Sequence, residues 1–424
     1  MAASTPPRDE LRRRFTEVRR FTDTLHRPLS AEDCGLQSMP DASPTKWHLA
    51  HTTWFFETFV LLPLGEAPFH PRYGYLFNSY YEAEGPRHER PRRGLLSRPS
   101  LDEVRSYRAD VDRRVQKALG EMSAERFAAL APVIELGLHH EQQHQELILT
   151  DILHALAESP LRPAYRDSAP PRPKAASPGA MGWIAYDEGV REIGHVGPGF
   201  AFDNEGPRHS VYQRAYVLAD RLVTCGEYLG FIQNGGYTRP DLWLSDGWAA
   251  VRSERWTMPL YWATRGDTLE MATLDGVRPV VPNEPVCHLS YYEADAFARW
   301  AGARLPTEVE WEIAAEGAPL QGTFVDGLAL HPRPATPQDP AARHPRQLFG
   351  DVWQWTATAY SPYPGFRPLD GALGEYNGKF MCNQLVLRGG SCATPASHIR
   401  ASYRNFFPAS ARWQFSGLRL ARDA

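Results

Sequence analysis

Residues 159–180 carry six prolines among alanine, serine and glycine, a composition that makes an extended spacer instead of a packed element. Before this stretch, apolar residues recur at three- and four-residue spacing. After it, the chain turns to short apolar runs punctuated by Gly, Pro, Asn and Asp. Two separate cores are therefore expected, and a length of 424 residues allows each its own. The expected division is a helical domain over 1–158, a linker over 159–180 and an α+β domain over 181–424.

Four segments of the first part read as long helices: 14–21, 49–62, 101–119 and 133–157. Ser43-Pro44 marks one start, and Ser100 followed by Asp102 and Glu103 marks another as an N-cap with early acids. A four-helix bundle follows, and bundles build metal sites between facing helices. Between the second and third helices, residues 77–99 form a long loop rich in arginine, and loops of that length are often functional. In the second part, 290–300 and 307–316 are the segments with a helical pattern. No internal repeat is present.

His140 and His144 stand four residues apart in a helical segment, so they share a face and can converge on one ion. Neutral imidazole suits iron, zinc, copper or nickel. Two ligands leave the site incomplete, and His51, in the amphipathic run Trp47-His48-Leu49-Ala50-His51, is the expected third. Three histidines leave metal positions open for substrate and oxygen, which is a catalytic arrangement. His140-Glu141-Gln142-Gln143-His144 also fits the His-Glu-x-x-His pattern of zinc hydrolases, whose Glu is the general base. Spacing alone does not separate a zinc hydrolase from an iron oxygenase.

Composition narrows the remaining classes. With 46 basic and 50 acidic residues the net charge is −4, so no positive field favours nucleic acid. The charged N-terminus is unlike a signal peptide, and no apolar run reaches the roughly 18 residues of a membrane span. Five scattered cysteines without C-x-x-C spacing give neither a disulfide framework nor a zinc knuckle. A cytoplasmic enzyme is expected, with no membrane or nucleic-acid partner. The 12 Trp and 18 Tyr suit a second domain of short strands and loops pinned by rings.

That second domain carries specific landmarks. Glu284-Pro285-Val286, Ser290-Tyr291-Tyr292-Glu293-Ala294, Arg304-Leu305-Pro306-Thr307-Glu308-Val309-Glu310-Trp311, Gly350-Asp351-Val352-Trp353-Gln354-Trp355, Arg388-Gly389-Gly390-Ser391 and Gly417-Leu418-Arg419 resemble the formylglycine-generating/sulfatase-modifying fold, a C-type-lectin-like α+β architecture. Fold does not fix chemistry. The formylglycine-generating branch uses two cysteines after its Gly-Gly-Ser turn, and Thr394 and Ile399 stand in those places here. The helices around His51, His140 and His144 resemble a DinB-like four-helix bundle. Bundle plus sulfatase-modifying domain resembles the EgtB-type sulfoxide synthases of ergothioneine biosynthesis, the hercynine oxygenases, in their cysteine-using branch. The lack of a C-terminal methyltransferase extension argues against an ovothiol-type synthase.

The resemblance implies a non-haem Fe(2+) held by His51, His140 and His144, with hercynine, L-cysteine or a related chalcogen donor, and O2 as small-molecule substrates. It places Tyr80 and Tyr81 as active-site phenols that donate a proton and steer oxidation toward C–S bond formation. Arg87, Arg90 and Arg93 suit bidentate capture of the amino-acid carboxylate, Arg90 and Arg93 aligning best. Gln143 and Asn405 are expected at the carboxylate of hercynine, with Phe406 or Phe407 facing its quaternary ammonium. The segment 200–209 reads as a structural turn, and His48, His139 and Cys392 as packing or surface residues. The alternatives are a selenoneine-type synthase with a selenosugar donor, a γ-glutamylcysteine-using enzyme, a non-catalytic binding module and a zinc hydrolase.

Overall fold

A computed structural model describes residues 6–166, 177–336, 344–369 and 371–424. The centre of the proline-rich spacer, 167–176, lies outside the described residues. Two compact units form. The first comprises Met1–Leu161, Gly197–Phe202 and Pro368–Gly378, and the second Arg162–Val196, Asp203–Arg367 and Lys379–Ala424.

The first unit contains α1 (Arg8–His26), α2 (Thr45–Phe56), the short α3 (Tyr73–Phe77), α4 (Leu101–Glu121) and α5 (Ala124–Glu158). Ser100 closes a capping box with Glu103 at the start of α4, and the Ser123 side chain caps α5, so orphan N–H groups at both starts are satisfied locally. α2 is buried on nearly every side. Its apolar residues Trp47, Leu49, Ala50, Trp54, Phe55 and Phe56 are all buried, and α2 packs against both α4 and α5. It runs on into a wider π-type turn at Glu57–Leu61. There the Glu57 carboxylate accepts hydrogen bonds from the Tyr107 hydroxyl at 2.7 Å and the Phe69 N–H at 2.7 Å. Gly137 of α5 sets the closeness of the α2–α5 contact. A Cβ there would lie 2.7 Å from the Phe56 ring and 2.8 Å from the Phe55 ring. Only a residue without a side chain lets these backbones approach so near.

The second unit holds β1 (Trp183–Tyr186), β2 (Gly189–Ile193), β3 (His209–Gln213), β4 (Tyr216–Ala219), α6 (Cys225–Gln233), α7 (Ser245–Ser253), β5 (Trp262–Arg265), β6 (Thr268–Thr273), β7 (Gly276–Pro279), α8 (Tyr291–Trp300), α9 (Glu308–Ala315), β8 (Trp353–Ala359), β9 (Leu385–Arg388), β10 (Asn405–Phe407), β11 (Ser416–Gly417) and β12 (Ala421–Asp423). Its strands form small sheets in the orders β1-β4-β12, β10-β9-β8-β11, β5-β6-β7 and the hairpin β2-β3. α8 and α9 fall where helical periodicity places them. α6 and α7, nine residues each, lie outside the expected helices. They are too short for the pattern to outweigh the surrounding loop residues, although Thr224 and Glu227 form a capping box at α6.

The scattered landmarks of this unit meet in space. Gln354 accepts from Trp311 Nε1 at 3.0 Å and from Arg419 Nε at 2.8 Å. Arg388 pairs with Glu308 at 3.1 Å and Glu312 at 2.7 Å, and Arg404 pairs with Glu308 at 2.9 Å. All are buried. Gly389 has φ +99° and abuts the Leu348 carbonyl, where a Cβ would come within 2.4 Å of the oxygen. Among the described residues no helix is long and apolar enough to cross a membrane.

Candidate metal centre

α2 and α5 each bring histidines to the buried core of the first unit. One nitrogen from each of His51, His140 and His144 lies within 4.8 Å of the others. The Nε2 atoms of His51 and His140 approach to 3.1 Å. His51 Nδ1 donates to the Phe77 carbonyl at 2.6 Å, which puts its proton there and leaves Nε2 as a lone pair facing the cluster. Burial, reinforced by the neighbouring imidazoles, pushes His51 and His144 well below the ordinary range, and burial pushes His140 down to about 3. All three are neutral at pH 7, the protonation state that ligates a metal. Converging neutral nitrogens, with one tautomer fixed by a carbonyl, fit an imidazole-ligated transition metal.

Glu141 is turned to another purpose. It is fully buried, its Oε1 accepts from Arg108 and Thr22 at 2.6 Å each, and its Oε2 accepts from Arg19 at 2.8 Å. Burial alone would raise its pKa, but these partners outweigh burial and hold it at about 2. A carboxylate bound on both oxygens by two guanidinium groups is no general base. The His-Glu-x-x-His reading of this helix, with its hydrolytic chemistry, therefore fails on geometry.

The arginine loop divides into exposed and buried members. Arg87 is half-buried and ion-paired with the exposed Glu82, and Arg90 is exposed. Arg93 is buried, lies 3.4 Å over the Trp47 ring and donates to Ser43 Oγ at 2.9 Å and Ser79 Oγ at 3.3 Å. Its Nε has no hydrogen-bond partner, and no carboxylate pairs with it among the described residues. Burial and the like charges of Arg90 and Arg87 push it down to about 8. Since a guanidinium stays charged, this is a buried cation whose described hydrogen-bond acceptors are neutral hydroxyls, with the Asp151 carboxylate acting favourably on it through space. Trp47 in turn stacks on the His51 ring at 4.5 Å.

Tyr80 and Tyr81 stack at 4.6 Å, and burial raises both phenols above their ordinary range. Tyr80 meets the edge of Tyr376 at 6.0 Å, and the Tyr376 ring lies 5.8 Å from that of His140. The Tyr376 hydroxyl donates to Gln143 Oε1. Sequence reasoning missed Tyr376. It lies far along the chain in a short segment of the first unit, with no motif around it, and only contact with α5 marks it.

Comparison with known proteins agrees with this architecture. A family model described as the DinB superfamily matches residues 14–148, and one described as the sulfatase-modifying factor enzyme 1-like domain matches 173–345 and 333–424. The hercynine oxygenase of Mycolicibacterium thermoresistibile is 32% identical over 99% of this chain and 96% of its own length. That of Mycobacterium tuberculosis is 33% identical over 93% and 94%. The chain belongs to the hercynine oxygenase family. Its fold is the family's helical bundle joined to a sulfatase-modifying α+β domain, and it is an enzyme of the oxygenase class. The formylglycine-generating enzyme of Streptomyces coelicolor, 28% identical, covers only 54% of the chain.

His48, His139 and the 200–209 segment make contacts that the sequence pattern did not indicate. His48 is buried and also hydrogen-bonded to His144 at 2.8 Å. The 200–209 segment is split, since Gly197–Phe202 joins the first unit. There Phe200 stacks on His139 at 4.0 Å and Phe202 on Tyr376 at 5.3 Å, which ties this segment to α5 and to the Tyr376 segment. Asn405, Phe406 and Phe407 lie on β10 of the second unit, where Phe406 stacks on Tyr360 at 4.1 Å. The Asn405 carboxamide accepts the Phe406 N–H at 2.9 Å.

Proposed function

We propose that this enzyme is an iron(II)- and O2-dependent sulfoxide synthase that joins L-cysteine to hercynine in ergothioneine biosynthesis. The carrying observation is the buried three-imidazole cluster, with the neighbouring Glu141 engaged by two guanidinium groups, beside the buried Arg93 guanidinium whose described acceptors are neutral hydroxyls. His51, His140 and His144 would hold the iron. When bound, iron(II) supplies the activation of dioxygen.

The residues around it have distinct tasks. Arg93, with the exposed Arg90 and Arg87 at the mouth of the loop, binds the carboxylate of the amino-acid thiol, and the Trp47 stack fixes the guanidinium plane. Tyr80, Tyr81 and Tyr376 form one contiguous group of neutral phenols that delivers a proton to the reduced oxygen. Gln143, oriented by Tyr376, binds hercynine through its carboxylate. The balance closes: a C–H and an S–H are lost, a C–S bond forms, one oxygen atom stays on sulfur and the other leaves as water. In this reading residues 1–158 carry the iron, 159–180 link, and 181–424 form the sulfatase-modifying-like domain.

The test is anaerobic loading with Fe(II), then hercynine and O2 with L-cysteine, γ-glutamylcysteine and a selenosugar in competition, and mass spectrometry of the product. The cysteine–hercynine sulfoxide is expected to dominate. Dominance of another donor would move the enzyme to that branch, and absence of any hercynine conjugate would refute the reading.

A further inference from the structure

The three candidate ligands are not equally supported. His140 Nδ1 is buried with no hydrogen-bond partner among the described residues, and His51 is backed by a neutral carbonyl at 2.6 Å. His144 is backed by a charge at one remove. Its Nδ1 lies 2.8 Å from His48 Nδ1, and His48 Nε2 lies 3.0 Å from Asp151 Oδ2. All three side chains are buried. The Ser43 N–H donates to the same Asp151 oxygen at 2.8 Å and fixes the carboxylate.

The direction of this chain is set at its far end. A carboxylate only accepts, so His48 Nε2 carries a proton and donates to Asp151. His48 Nδ1, then a lone pair, accepts from His144 Nδ1–H. His144 Nε2 is thereby left without a proton, and that is the atom a metal needs. A carboxylate behind an imidazole also raises its electron density and holds the ring plane.

We propose that Asp151 and His48 are positioning residues, which select the Nδ1–H tautomer of ligand His144 and make it the strongest donor of the three. This rests on the reading of His51, His140 and His144 as metal ligands. α2 thus supplies two parts of the centre one turn apart: His51 as ligand, and His48 as support for a ligand on α5.

The experiment is anaerobic titration of the full chain with Co(II), and separately with Fe(II), following the visible Co(II) bands and the metal affinity. In His48→Phe the ring volume is kept and the acceptor lost, and affinity is expected to fall about 10- to 100-fold with a shifted Co(II) spectrum. In His48→Asn the carboxamide oxygen falls near the place of Nδ1 and accepts from His144, so most of the affinity returns. Asp151→Asn keeps the shape, loses the charge, and should show a smaller loss in the same direction. A packing role predicts the reverse order, with Phe tolerated better than Asn. Wild-type affinity and spectrum in His48→Phe, or equal losses in Phe and Asn, would overturn the proposal. Failure of the wild-type chain itself to bind either metal would instead refute the underlying ligand assignment.

Discussion

Arg93 shows how a single residue can point to a ligand. A buried cation on an indole face, with two serine hydroxyls as its acceptors among the described residues, is costly unless an anion completes it. Arg93→Ala is expected to weaken binding of the thiol amino acid by roughly 1.5–3 kcal/mol, the scale of a charged hydrogen bond, and to leave hercynine binding nearly unchanged. Calorimetry on the metal-loaded protein measures both, and equal losses for the two substrates would point to a general packing defect. The phenols are separable in the same way, because Phe keeps each ring and removes only the proton. Among Tyr80→Phe, Tyr81→Phe and Tyr376→Phe, the largest shift of product from sulfoxide toward cysteine sulfinate is expected at Tyr376, whose ring packs against that of His140. Unchanged product ratios in all three would place the proton donor elsewhere.

At the scale of elements, Glu141 ties three helices together. It sits on α5 and binds Arg19 of α1 and Arg108 of α4. Its folded pKa of about 2 lies below the roughly 4.3 of an unfolded Glu. The linked stability is therefore present above pH ~4.3 and lost as pH falls toward ~2, about 3 kcal/mol in all. Glu141→Gln is expected to be less stable at neutral pH by about 3–5 kcal/mol, since two buried guanidinium groups lose a partner. The gap between wild type and variant should narrow with acid, and denaturant melts at several pH values measure it. A gap that stays constant down to pH ~2 would rule out the linkage. The approach of α2 to α5 is owed to Gly137, one turn before His140 on α5, whose missing side chain admits the Phe55 and Phe56 rings of α2. Packing of α2 on α5 thus sets the distance between His51 and His140.

For the molecule as a whole, the proposed metal site would couple metal binding to folding through the first unit. The clustered imidazole nitrogens of α2 and α5 come together in the formed bundle, so a metal that binds the folded state there stabilises it by mass action. At a free concentration a hundred times Kd the gain is about 2.7 kcal/mol. Anaerobic Fe(II) is expected to raise the thermal transition reported by the helical signal, and a chelator or His144→Ala to abolish the rise. The same rise in His144→Ala would show that the metal binds elsewhere.

Local pattern alone determined much of this protein. Long three- and four-residue periodicity gave α1, α2, α4 and α5, because a helix records its buried face in every turn. The i, i+4 spacing put His140 and His144 on one face, and the motifs around Glu308, Gln354 and Arg388 gave the second fold, because they are short, specific and contiguous. Other features had no local trace. α6 and α7 were too short to show a period. Whether Glu141 was a base or a structural anion depended on arginines some thirty and some hundred and twenty residues away. Whether His48 packed or supported a ligand depended on Asp151, 103 positions along the chain. Tyr376 reached the histidines only because its segment folds into the first unit. Hydrogen-bond partners and buried charges are chosen by proximity in space, and that information is absent from sequence spacing until the backbone has closed.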